Sequence, residues 1–85
     1  LLDAVNDDLI QAMTGVEEAS FIGNQIQTIS PKISSLRFLT KLYLPKNKIC
    51  ELPTEICFMI NLAKLKVDDN FLKTLPKDIG NLINL

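Results

Sequence analysis

A period of 23 residues runs through this chain, and it constrains the fold more than any other feature. Val16, Leu39 and Leu62 share one register position. Behind them come Ala19, Leu42 and Leu65, then Phe21, Leu44 and Val67, then Ile26, Ile49 and Leu72. Ile29, Leu52 and Leu75 follow, with Ile33, Ile56 and Ile79, and Leu36, Met59 and Leu82 closing the unit. All seven positions are apolar in all three units. In a chain that is 47% hydrophobic, chance achieves this at roughly 10⁻⁶ even with a free choice of register. The units are 16–38, 39–61 and 62–84, with Leu85 starting another and the whole reading as an excerpt of a longer array.

The spacing inside a unit dictates local structure. The pair two residues apart (Leu42 and Leu44, Leu65 and Val67) has the period of a strand with one buried face. Strands are expected near 18–22, 41–45 and 64–68. The later spacing of two, three, four and three residues is too uneven for a strand and fits turns with a short helical return. One unit cannot enclose its own apolar residues, so units must stack and share a continuous core.

Asn24, Asn47 and Asn70 repeat at the same period, directly after each strand. An amide offers donors and an acceptor together, so it can pair backbone groups left open where the chain bends away from a sheet. A structural asparagine ladder is the expectation; an exposed ligand-binding triplet is the alternative.

The stretches Leu39-Thr-Lys-Leu42-Tyr-Leu44-Pro-Lys-Asn47-Lys-Ile49 and Leu62-Ala-Lys-Leu65-Lys-Val67-Asp-Asp-Asn70-Phe-Leu72 resemble the leucine-rich repeat motif. Their continuations, Leu52-Pro53-Thr-Glu-Ile56 and Leu75-Pro76-Lys-Asp-Ile79, are similar to its 23-residue intracellular subtype, found in Ras-pathway scaffolds. The first unit departs from it, with Pro31 one place late and the small Ala19 at a core strand position. The resemblance implies an α/β solenoid: a right-handed horseshoe segment with short parallel strands and a protein-binding concave face.

Residues 1–15 lack the strand-and-Asn signature. Leu2, Val5, Leu9, Met13 and Val16 fall on one face of a helix that Gly15 could end, with the acidic Asp3, Asp7 and Asp8 largely off it. An N-terminal cap helix is expected, because terminal units of solenoids must cover an open core. A divergent repeat is the alternative, since Ile10 and Met13 match the end of a preceding unit.

On a horseshoe, the side chains alternating with the core pair face inward. They are Glu18, Ser20 and Ile22, then Lys41, Tyr43 and Pro45, then Lys64, Lys66 and Asp68. Tyr43, the one tyrosine, sits amid lysines as an interface anchor would. Pro45 has no backbone donor and should end its strand or leave one ladder bond unmade.

Several function classes lose support. A net charge of −1 lacks the footprint of a nucleic-acid binder. No apolar run is long enough to cross a bilayer, and no targeting signal can be read. With no His, the commonest general base and the usual triads are missing, and a metal site would need a carboxylate cluster that does not present itself. No glycine-rich phosphate loop exists. Cys50 and Cys57 are expected to be reduced structural thiols, with a disulfide between them as the alternative. The expectation is therefore a non-enzymatic scaffold or adaptor in the cytoplasm, or the nucleus, binding another protein without cofactor, metal, membrane or direct nucleic-acid contact. The alternative is a regulatory region positioning an attached enzyme. One such family is the mRNA deadenylases, to which Phe38-Leu39-Thr40-Lys41-Leu42-Tyr43-Leu44 bears a short resemblance.

Overall fold

In a computed structural model, which describes residues 2–77 and 79, the repeat becomes a stack. Strands β2 (Glu18–Ser20), β4 (Lys41–Tyr43) and β5 (Lys64–Lys66) form one parallel sheet in that order. Their register pairs Ala19 with Leu42 and Leu42 with Leu65, so each step across the sheet is one 23-residue period. On the far side of the stack a second small sheet pairs β1 (Ala4–Val5) with β3 (Thr28–Ile29), also parallel.

Between the two sheets runs a single apolar core. Ile26, Ile33, Leu44, Ile49 and Ile56 are fully buried, and Leu36, Leu39 and Leu42 nearly so. All are repeat positions of the first two units, in which Val16 and Phe21 are half-buried. In the third, Leu65, Val67, Leu72 and Ile79 are half-buried against the core and Leu75 is exposed. Leu82 and Leu85 lie outside the described residues.

The helical return is a 3-10 turn in both repeats that show it, Pro31–Ser35 and Thr54–Phe58, one period apart. The displaced proline of the first unit leaves that element in place. Ser30 caps the first turn, its side-chain oxygen accepting from Lys32 N at 3.1 Å with Pro31 at the first helical position. Pro53 holds the equivalent cap in the second, with no side-chain bond.

The helix expected over residues 1–15 is shorter than its pattern. Ala4–Val5 is strand β1, and α1 spans only Asp7–Ala12, opened by Asn6, whose side chain accepts from Leu9 N at 3.0 Å. Gly15 falls three residues beyond it. Three bonds tie residues 2–5 to the first repeat: Gln25, Gln27 and Ser30 donate backbone N–H groups to the carbonyls of Leu2, Asp3 and Val5. By pairing and spacing, Leu2, Val5, Ile10 and Met13 occupy the places of Ile26, Ile29, Ile33 and Leu36. The spacing from Val5 to Ile10 is five residues, against four from Ile29 to Ile33. That additional residue gives room for an α-turn (Ile10 N to Asn6 O, 3.0 Å) where the later units make 3-10 turns. A three-and-four spacing is common to one helix face and to this turn-and-return, which is why the pattern overstated the helix.

Candidate functional site: the exposed face of the parallel sheet

Two columns of backbone geometry position this face. Gly23, Lys46 and Asp69, one period apart, all adopt the left-handed conformation, with φ of 72°, 58° and 57°. Each precedes its asparagine and turns the chain out of the sheet, a conformation that glycine adopts freely and other residues do not. Lysine and aspartate at this position hid the feature in the sequence; Gly23 was the one visible signal of it.

The asparagines then close the bend. Asn47 is buried, at 5% exposure. Its Oδ1 accepts from Ile26 N at 3.1 Å, and its Nδ2 donates to the carbonyls of Phe21 (2.8 Å), Leu44 (3.1 Å) and Pro45 (3.1 Å). Asn70 repeats the pattern half-buried, accepting from Ile49 N and donating to Leu44, Val67 and Asp68 carbonyls. Asn24, also half-buried, accepts from Leu2 N at 3.3 Å. These residues serve the backbone, as a ladder would.

Pro45 fits because of this arrangement. The assigned strand ends at Tyr43, yet ladder bonds continue past it: Gly23 N donates to Pro45 O, and Lys46 N to Asp68 O. The Phe21 carbonyl receives the Asn47 amide, as Leu44 receives that of Asn70. The ladder thus needs no N–H from position 45.

The alternating residues of the three strands share one face. Glu18, Ser20, Ile22, Lys64, Lys66 and Asp68 are exposed, while Lys41, Tyr43 and Pro45 are half-buried in the middle strand. Register pairs Lys41 with Glu18 on one side and with Lys64 on the other, and Tyr43 with Ser20 and Lys66. Lys41 Nζ lies 3.2 Å from Glu18 Oε1. That hydrogen bond and the carboxylate charge hold the Lys41 pKa above its ordinary value. Lys64 and Lys66 form no ion pair among the described residues, so uncompensated positive charge sits on β5 beside the Tyr43 ring. The pairing of Glu18 was readable from the period alone, since the two residues are 23 apart.

Cys50 is exposed in a loop and Cys57 is buried in the second 3-10 turn. Among the described residues no group of three or more Cys, Asp or Glu could hold a metal ion, and no helix is long and apolar enough to cross a membrane.

Known proteins share the pattern. A leucine-rich repeat protein of Leptospira interrogans superposes with a TM-score of 0.67 at 28% identity, over 99% of this chain and 27% of its own. Leucine-rich repeat-containing protein 7 of Rattus norvegicus is 45% identical over 49 residues, which is 58% of this chain and 3% of the relative. The MAP kinase phosphatase with leucine-rich repeats protein 3 of Dictyostelium discoideum is 29% identical over 87 residues, covering 99% of this chain and 10% of the relative. The chain is a run of leucine-rich repeats. No protein-family model matches it. These leucine-rich repeats span at most a tenth of the length of the curated relatives cited, and they form a solenoid-like stack with short parallel strands.

Proposed function

We propose that these repeats are a protein-binding module, a scaffold or adaptor segment of the 23-residue intracellular type, with no catalytic chemistry of its own. The exposed sheet face takes the partner. One observation carries the reading: Tyr43 lies half-buried at the centre of a three-strand surface, with the unpaired lysines Lys64 and Lys66 beside it. A preorganised aromatic with a charged border is the composition of an interface hot spot. The partner is another protein, bound without metal, cofactor, membrane or nucleic acid. A cytoplasmic or nuclear setting fits the exposed Cys50 thiol. Residues 1–15 belong to a divergent repeat rather than a dedicated cap, a reading supported by the pairing of β1 with β3.

A second reading keeps the same surface but attaches it to an enzyme that it positions. It is favoured by the name of the Dictyostelium relative, which joins leucine-rich repeats to a phosphatase.

The test uses two variants on the face and one away from it. Tyr43→Ala should weaken the native partner by about 2 kcal/mol, mainly through faster dissociation. Reversing Lys64 and Lys66 to Glu should slow association, with an effect that shrinks as salt rises. Lys77→Glu, an exposed control, should do little. If Lys77→Glu weakens binding while both face variants leave it intact, the function lies elsewhere on the solenoid.

A further inference from the structure

The repeat pattern accounts for the buried Ile56 and Met59 of the second unit's return, but not for Phe58 and Ile60. The core positions there are Ile56, Met59 and Leu62, all buried, along with Cys57. Phe58 and Ile60 alternate with them and are 66% and 90% exposed. One period earlier the equivalent places hold Ser35 and Arg37, so the fold does not require apolar residues at either. Together they form apolar surface that packing does not demand and that a partner can bury.

Phe58 and Ile60 stand over a cleft of about 300 Å³ between the two returns. The buried side chains of Leu36, Leu39 and Met59 line its interior. The polar rim is largely committed, because Asn61 Nδ2 donates to the Arg37 carbonyl at 2.9 Å. The single charged group on the cleft is the guanidinium of Arg37, and no described carboxylate pairs with it. None of the nine sheet-face positions lines this cleft.

We propose that this cleft is a second, independent docking site for a protein segment that inserts one large apolar side chain and presents a carboxylate to Arg37. The apolar interior selects the anchor, and the lone cation selects an acidic neighbour through a charge-assisted, bidentate contact. The chain therefore engages two partners at once, one on the sheet and one on the returning flank.

The probe is a phage-displayed random peptide library selected on the full chain, with the Ile60→Ser chain as counter-target. Selected peptides should share a large apolar residue with Asp or Glu within two positions. Their affinity should fall at least tenfold in Ile60→Ser and in Phe58→Ser, two exposed substitutions whose folding is checked by circular dichroism. Arg37→Gln should weaken them at least threefold, and that loss should vanish when the peptide's acid is replaced by its amide. Tyr43→Ala should change binding less than twofold. Any of three results overturns the proposal: no peptide distinguishes wild type from Ile60→Ser, those that do show no acidic preference, or Tyr43→Ala abolishes their binding. Since Tyr43 is the probe of the sheet face, either site can fail without the other.

Discussion

Replacing Asn47 by Ala removes one side chain that serves four backbone groups, and Asn47 and Asn24 should respond very unequally. The Ile26 N–H is the most costly group to strand, because Ile26 is fully buried and Asn47 Oδ1 is its acceptor. An orphaned buried donor costs roughly 1–3 kcal/mol. The Phe21 carbonyl loses its 2.8 Å amide but lies part-buried, so water recovers some of that loss. The Leu44 carbonyl keeps the Asn70 amide at 2.8 Å, and Pro45 keeps Gly23 N at 3.2 Å. The sum is about 2–4 kcal/mol, a large share of the roughly 4–13 kcal/mol expected for a chain of this size. Asn24→Ala forfeits one long, exposed bond to Leu2 N among the described residues, which amounts to about 1 kcal/mol or less. Urea unfolding followed by circular dichroism measures both. Equal shifts in midpoint for Asn47→Ala and Asn24→Ala, or a loss below about 0.5 kcal/mol for Asn47→Ala, would refute hydrogen-bond satisfaction as the reason for the ladder.

Lys46→Gly should stabilise the chain by about 0.5–1 kcal/mol by relieving a left-handed lysine, and Gly23→Ala should destabilise it by about 1 kcal/mol through backbone conformation alone. An added Cβ at Gly23 meets nothing within 4 Å, so a sterically driven loss much larger than this would contradict the account. Ile56→Ala, at a fully buried core position, should cost about 2–5 kcal/mol in chemical denaturation. A thiol reagent should label Cys50 rapidly in the folded protein and Cys57 only on unfolding; comparable rates would show the second 3-10 turn opening far more readily than its burial implies.

The 23-residue period carried most of the fold. Its apolar positions through Leu62 make the core, with Val16 and Phe21 half-buried against it, its strand pairs fall inside the expected spans, and its asparagines bridge backbone groups. Periodicity works here because each unit buries the same face against its neighbour. It failed at α1, where one residue more between Val5 and Ile10 than between Ile29 and Ile33 changes the type of turn, while Leu2, Val5, Leu9 and Met13 keep the three-and-four spacing of a helix face. It was blind to Lys46 and Asp69, since nothing in those side chains signals positive φ. The flank cleft was missed for a related reason: Phe58 and Ile60 are ordinary apolar residues in sequence, and their exposure becomes informative only once the core is known not to need them.

The asparagine contacts run one way along the stack. Asn47 reaches back to Ile26 and Phe21, Asn70 to Ile49 and Leu44, and Asn24 to Leu2. Among the described residues, the first two units each depend on their successor for the partner of a backbone amide, at Ile26 and at Ile49, and mechanical or thermal loosening has a preferred direction of travel. When a later unit melts, it takes with it the acceptor that shields a backbone N–H in the unit before, lowering the barrier to the next release. Loosening the first residues removes no asparagine contact from the units that follow. Amide exchange at Ile26 should accordingly track the opening of the second unit and not its own. A force probe gripping the ends should peel the array from its late units toward its early ones.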